Sequence, residues 1–301
     1  MADPVLPADP GGEPPAFEIL APAEQTRPFV FNSPHSGAYY PPEFLAAAAL
    51  DRVAIRRSED LLVDALFGSV VALGAPLMRA VYPRAFLDVN REPYELDPKM
   101  FVGRLPSFAN VRSLRVAGGL GTIPRVVGDA ANIYKAPLDV EEALRRIDRI
   151  YRPYHDALRQ LLADTHLRFG RAVLIDCHSM PSNLQGTPLR SRPDFILGDR
   201  FGASCAPELV GRAQAVLRDL GYTVCRNKPY AGGFITEHYG RPARGLHALQ
   251  IEVNRALYMD EARLEPSAGF ARLAEHMRLL SEALLAVPVE AWALPLSDAA
   301  E

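Results

Sequence analysis

Ala172-Val-Leu-Ile-Asp176-Cys-His178-Ser179 is an unbroken apolar run that ends in an acid, a thiol and an imidazole. Continuous Ala, Val, Leu and Ile without alternation predict a strand covered on both faces, the kind found inside parallel sheets. Upstream, Val140 to Phe169 keeps a helical period across Pro153, where the missing N–H predicts a bend. Downstream, Asp194 to Gly198, Tyr222 to Arg226 and Leu246 to Val253 predict further strands, with helices over Phe201 to Leu220 and Ser267 to Leu285. Strands that alternate with helices predict an α/β fold with a mixed or largely parallel central sheet flanked by helices.

Towards the N-terminus, Pro28-Phe-Val-Phe-Asn-Ser33 reads as a buried strand stopped by Pro34 and Gly37, and the loop it enters carries His35. Ser58 to Leu73 places Leu61, Leu62, Ala65, Leu66 and Val70 on one helical face, with Ser58 as N-cap and Glu59 and Asp60 in the first turn. Leu77 to Tyr82 and Ala85 to Val89 are strand-like. Glu92 to Ala136, dense in Pro, Gly and polar residues, predicts a long functional loop region. Residues 1–27 hold too few large apolar side chains to pack, and are expected to form a disordered or extended arm ahead of a single domain over 28–301.

The chain has 301 residues, 49% of them hydrophobic, enough to bury a substantial core. Lys+Arg 33 against Asp+Glu 36 leaves no surplus of cations for a phosphate backbone or an anionic bilayer, so neither nucleic acid nor membrane is expected as a partner. The longest apolar runs, such as Phe44 to Leu50, fall far short of the ~20 residues that a bilayer crossing takes. Cys177, Cys205 and Cys225 are irregularly spaced and frame neither a disulfide scaffold nor a cysteine metal site. With no signal-peptide pattern at the start, a reducing, cytoplasmic location is expected.

Two imidazoles, His35 in Asn32-Ser-Pro-His35-Ser-Gly37 and His178 in Asp176-Cys-His178-Ser179, each follow an apolar strand beside small or turn-forming neighbours. One such histidine more often hydrogen-bonds its own loop than binds a metal. Two in matching contexts favour a shared divalent ion, zinc first by ligand type, with cobalt, nickel or iron open. A third ligand would be a carboxylate, Asp60 or Glu59, and spacing does not choose between them. The helix dipole alone would also favour acids there. Asp64, and Asp176 two residues before His178, are candidates to orient a ligand from behind.

Glu252 is a carboxylate inside a strand-like stretch, costly to bury unless it is paired or faces a cleft. It suits a general base acting on a metal-activated water; an interior ion pair with Arg255 is the plainer alternative. Arg91, closing Asp88-Val-Asn90-Arg91, suits a substrate carboxylate or a polarised carbonyl. Asn227 to Gly240, with Lys228, Tyr230, His238 and Tyr239 among glycines, reads as a mobile or closely approaching loop over a site, in which His238 can bind substrate. Cys177 and His178, adjacent on a strand, point to opposite faces, and no Gly-x-Ser-x-Gly elbow occurs.

Together, Ser33-Pro-His35-Ser-Gly37, Ser58-Glu-Asp60, Asp88-Val-Asn90-Arg91, Asp176-Cys-His178-Ser179, Gly232-Gly-Phe-Ile-Thr-Glu-His-Tyr-Gly240 and Gln250-Ile-Glu252-Val-Asn-Arg255 resemble the N-formylglutamate amidohydrolase family, within the wider group built like zinc carboxypeptidases and aspartoacylases. The resemblance runs from about Phe29 to Met259. It implies a zinc-hydrolase α/β fold, a metal on His35, an acidic residue near 60 and His178, and Glu252 as the catalytic carboxylate. It also implies Asn90 and Arg91 at the substrate, to which His238, Tyr239 and Arg255 are added as candidates, and an N-formyl or other N-acyl amino acid as that substrate. Two positions depart: Ala38 stands where carboxypeptidase-like enzymes place a Glu, and Glu237 where members acting in histidine breakdown place an Arg. The rival readings are a carboxypeptidase-like peptidase or peptidoglycan-type amidase, and a non-catalytic ligand-binding protein on the same fold.

Overall fold

The computed structural model describes residues 12–128, 131–183 and 192–292. The elements that matter for the site are β1 (Phe17–Leu20), β2 (Phe29–Ser33), α1 (Val63–Phe67), β3 (Leu77–Ala80), α2 (Arg152–Phe169), β4 (Ala172–Met180), β5 (Phe195–Gly198), α3 (Pro207–Asp219), β6 (Val224–Arg226), α4 (Phe234–Tyr239), β7 (Leu246–Asn254) and α5 (Phe270–Leu285). The strands form one seven-stranded sheet in the order β1-β3-β2-β4-β7-β5-β6. β2, β4 and β7 run parallel, β5 pairs antiparallel with β7, and β6 is parallel to β5. The fold is therefore α/β with a largely parallel central sheet, as the alternation of strand and helix patterns predicts.

β4 and β7 lie inside the sheet, between β2 and β5. Every position of β4 is buried, and every position of β7 but its first. Each buried Val, Leu or Ile side chain there contributes roughly 1.5–3 kcal/mol relative to exposure. α5 buries Leu273, Met277, Leu280 and Leu284 and packs on α1 and α3.

The chain divides into two compact units interleaved in sequence: Met1–Ile19, Pro34–Leu61 and Met78–Leu158 form one, and Leu20–Ser33, Leu62–Leu77 and Arg159–Glu301 the other. The second unit holds β2, β4, β5, β6 and β7 with α1, α3, α4 and α5. The first holds the His35 loop and the irregular stretch after β3.

Several local expectations are corrected. Phe17–Leu20, inside the stretch expected to stay unpacked, is a strand of the sheet next to β3; residues 1–11 lie outside the described residues. Ala85 to Val89 is not a strand. It is apolar because it is buried, but the turn bonds from Phe86 and Leu87 back to the Pro83 carbonyl curl it out of any ladder. Helix α1 begins at Val63, not near Ser58, since Leu62 sits in the left-handed region (φ 63) and interrupts the turn, leaving Glu59 and Asp60 in a loop. The bend expected at Pro153 takes the form of a π-helical turn over Ile147–Tyr151, which resets the bond ladder just before the proline. Asn227 to Gly240, read as a mobile or closely approaching loop, folds in its second half into α4, and Gly240 does approach its neighbours closely, since a Cβ there would lie 2.4 Å from Ser204 Cβ.

Candidate active site

Strand register brings the motifs together. Asn32 on β2 stands opposite Asp176 on β4, and Gln250 on β7 stands opposite the same Asp176. Glu252 is opposite His178. His178 and Glu252 were expected at strand ends; both strands instead continue to Met180 and Asn254, because those two residues still pair.

His35 follows β2 by two residues. Its ring is buried, with Nε2 2.7 Å from Asp88 Oδ1 and Nδ1 3.3 Å from Asp60 Oδ2. Asp60 is tied to the same loop twice: its N–H donates to the His35 carbonyl at 3.0 Å, and Ser36 Oγ donates to the Asp60 carbonyl at 3.0 Å. Gly37 lets this loop press on its neighbours, since a Cβ there would lie 2.2 Å from the Tyr82 carbonyl oxygen. Asp88 is buried, which alone would push its carboxyl up. Arg84, Arg91 and His35 outweigh that and hold it well below the usual carboxylate range.

His178 Nε2 lies 3.0 Å from Asp176 Oδ2, while Asn32 Nδ2 donates to Asp176 Oδ1 at 2.9 Å. One ligand atom from each of His35, Asp60 and His178 lies within 4.8 Å of the other two, and all three residues are buried. With the His35 Nε2 proton facing Asp88, a neutral ring turns its Nδ1 lone pair towards the Asp60 carboxylate. Two electron-pair donors that close call for a proton or a cation between them. Two imidazoles and a carboxylate are a fitting donor set for a divalent transition ion.

Asp60 rather than Glu59 belongs to this group. Glu59 is turned away and accepts from Arg56 Nε at 3.0 Å and from the Tyr40 hydroxyl. Burial first, then the Glu59 carboxylate, pushes the Tyr40 phenol far up. Asp64 sits in the first turn of α1, outside the group.

Glu252 is buried and accepts from Gln250 Nε2 at 2.8 Å. Arg255, buried three residues on, donates from Nε to Ser179 Oγ at 3.0 Å. Asn90 is buried, its N–H donating to Asp88 Oδ1 at 2.9 Å. Arg91 Nε donates to the Leu120 carbonyl at 2.7 Å and Nη1 to the Asn90 carbonyl at 2.8 Å, with Nη2 3.4 Å from Asp88. Burial pulls its pKa down to about 10. Tyr151 donates to the Arg91 carbonyl at 2.6 Å and His155 to the Val89 carbonyl at 2.8 Å, so the π turn and the helix after it anchor the Asp88–Arg91 loop. His238 is exposed and stacks on Phe234 at 5.0 Å, whereas Tyr239 is buried. Glu237 forms an ion pair with Arg200 at 2.6 Å.

Sequence reading missed Asp88 as the partner of His35, and Gln250 and Thr236 as partners of the carboxylates. The only signal was their place inside the quoted motifs. Cys177 is buried, and burial with the Asp176 charge raises its thiol well above the ordinary range.

The model of the family described as N-formylglutamate amidohydrolase matches residues 27–259. An N-formylglutamate deformylase of Pseudomonas aeruginosa is 31% identical over 271 residues, covering 89% of this chain and 95% of that protein. One from Pseudomonas putida is 31% identical over 261 residues, covering 86% and 91%. The crystal structure of N-formylglutamate amidohydrolase from Ralstonia eutropha JMP134 gives a TM-score of 0.84 at 39% identity, covering 88% of this chain and 95% of that one. A gene product of Agrobacterium tumefaciens, 20% identical with a TM-score of 0.60 over 90% and 95% of the two chains, shares the fold. With the match spanning both imidazole motifs, the acidic cluster and the Glu252 strand, this chain belongs to the N-formylglutamate amidohydrolase family.

Proposed function

We propose that this chain hydrolyses the amide bond of N-formylglutamate or a similar N-acyl amino acid, with His35, Asp60 and His178 holding a divalent ion and Glu252 as the acid–base carboxylate. The observation that carries this reading is the buried set of two imidazoles and one carboxylate, their ligand atoms within 4.8 Å, in a chain whose family members include named deformylases. Zinc is the first choice by ligand type. A bound zinc supplies Lewis acidity, polarising a carbonyl oxygen and bringing the pKa of water towards about 7.

The remaining work falls to side chains. Asp88 holds the His35 ring through Nε2, the nitrogen opposite the one that faces Asp60, and Asp176 holds the His178 ring through Nε2. Glu252 takes a proton from the attacking water and delivers it to the leaving amine, the general acid–base role of a carboxylate. Arg91 lends positive charge near the Asp88 loop through Nη2, its other donors being held by carbonyls. Asn90, Arg255, His238 and Tyr239 are the candidate contacts to substrate. The thiols Cys177, Cys205 and Cys225 are all unpaired, in keeping with a reducing, cytoplasmic setting. Among the described residues, no helix is long and apolar enough to cross a membrane.

The test is metal analysis of the purified protein with an assay of formate release from N-formyl-glutamate, run beside other N-acyl amino acids and short peptides. Stoichiometric metal and preference for the N-formyl amino acid are expected. Retention of metal by the His35→Ala, His178→Ala double variant, or turnover of peptides alone, would overturn the assignment.

A further inference from the structure

On the face of the sheet that carries His178, four side chains form two rows. Residues two apart on a strand project to one face, and directly opposite residues of parallel neighbours share it. Asp176 and His178 on β4 thus stand beside Gln250 and Glu252 on β7. In each strand the earlier residue hydrogen-bonds the later one: Asp176 Oδ2 to His178 Nε2 at 3.0 Å, and Gln250 Nε2 to Glu252 Oε1 at 2.8 Å. The Thr236 hydroxyl of α4 sits over the supporting row, 3.3 Å from Gln250 Oε1 and 3.5 Å from Asp176 Oδ2.

The direction of the Gln250 amide is fixed by chemistry. The Gly233 N–H, which can only donate, lies 2.7 Å from one end of it, so that end is the carbonyl oxygen. The NH2 end is therefore the one that faces Glu252. All three polar partners of this buried amide are accounted for by Gly233, Thr236 and Glu252.

From this array we infer that Gln250 is a positioning residue. It holds one oxygen of Glu252 and passes the placement of the Gly233–Thr236 turn on to the carboxylate's rotation, while Asp176 does the corresponding work for His178. The two supporting residues act on separable properties: Asp176 on metal affinity, Gln250 on the proton-transfer step. This rests on the role proposed above for Glu252.

The experiment compares Gln250→Met, Gln250→Asn and Asp176→Asn with the zinc-loaded wild type. Gln250→Met fills the same space without a donor; Gln250→Asn keeps an uncharged amide too short to reach both Gly233 and Glu252. Both are expected to bind one zinc with wild-type affinity by calorimetric titration and to lose kcat about 10- to 100-fold with KM within about 3-fold, the size typical of outer-layer partners. Asp176→Asn is expected to weaken zinc binding about 10- to 100-fold instead. Unchanged kcat in a folded Gln250 variant, or zinc affinity lost alike in the Gln250 and Asp176 variants, overturns the inference. If the wild type turns over no N-acyl amino acid, the functional reading fails by itself. The Glu252 carboxylate in a crystal structure of Gln250→Asn then decides: displaced, it upholds the positioning role, and unmoved, it ends it.

Discussion

Asp88 Oδ1 lies 2.7 Å from His35 Nε2, a contact between residues 53 apart in the chain that sets which ring nitrogen of His35 faces Asp60. Replacing Asp88 by Asn leaves the ring free to flip and its tautomer unspecified. Metal affinity is then expected to fall about 10- to 100-fold, measured by titration into metal-free protein. Wild-type affinity in that variant would show that the contact has no orienting role.

Asp60 and Glu59 are neighbours with opposite expected phenotypes. Asp60→Asn should abolish metal retention through gel filtration against a weak chelator. Glu59→Gln should keep the metal but lower the melting temperature, since it disturbs the buried Tyr40 and Arg56 contacts. Metal loss in Glu59→Gln with retention in Asp60→Asn would reverse the assignment.

Chelation followed by add-back gives a third check. Activity on the N-formyl amino acid should vanish with the metal and return on adding zinc, and cobalt is expected to substitute. Full activity in metal-free protein, verified by elemental analysis, would remove the metal from the reaction.

Stability should depend on pH through His247. Burial, with Arg171 nearby, depresses its pKa to about 4, and its Nδ1 accepts the Ala206 N–H at 3.2 Å, which needs an unprotonated ring. Between about pH 4 and the unfolded value near 6.5, the unfolded chain binds the extra proton, so stability rises with pH. The contribution is whole above about 6.5 and is lost on acidification, at up to about 1.4 kcal/mol per pH unit in that window. Urea titrations at pH 7 and 5 should show a smaller loss in His247→Asn than in wild type; equal losses would assign the acid sensitivity elsewhere.

Gly37→Ala places a methyl group 2.2 Å from the Tyr82 carbonyl oxygen, a backbone atom that cannot swing aside. About 1–3 kcal/mol of destabilisation is expected from chemical denaturation. Metal affinity should drop with it, because the shifted loop carries His35. A neutral substitution would mean that this loop has slack.

The fold class was legible because β4 opens on the continuous apolar run Ala172 to Ile175, which has no stable place except between two covered faces, and because strand and helix patterns alternate after it. His35, His178 and Glu252 were legible for a related reason: polar groups at the end of such runs are costly to bury without a task. Helix α1 was misplaced because periodicity cannot see the left-handed residue at Leu62, and Ala85 to Val89 looked like a strand because burial alone makes it apolar.

By itself, then, the sequence determined the α/β class and the residue types able to bind a metal, since both follow from local pattern and side-chain chemistry. Only the tertiary structure decided that Asp60 and not Glu59 faces His35, that Asp88 orients that ring, and that Gln250 and Asp176 stand in one row behind Glu252 and His178. Those choices depend on strand register and on which way a loop turns. Both are fixed by pairing between residues dozens of positions apart, about which no local stretch of sequence carries information.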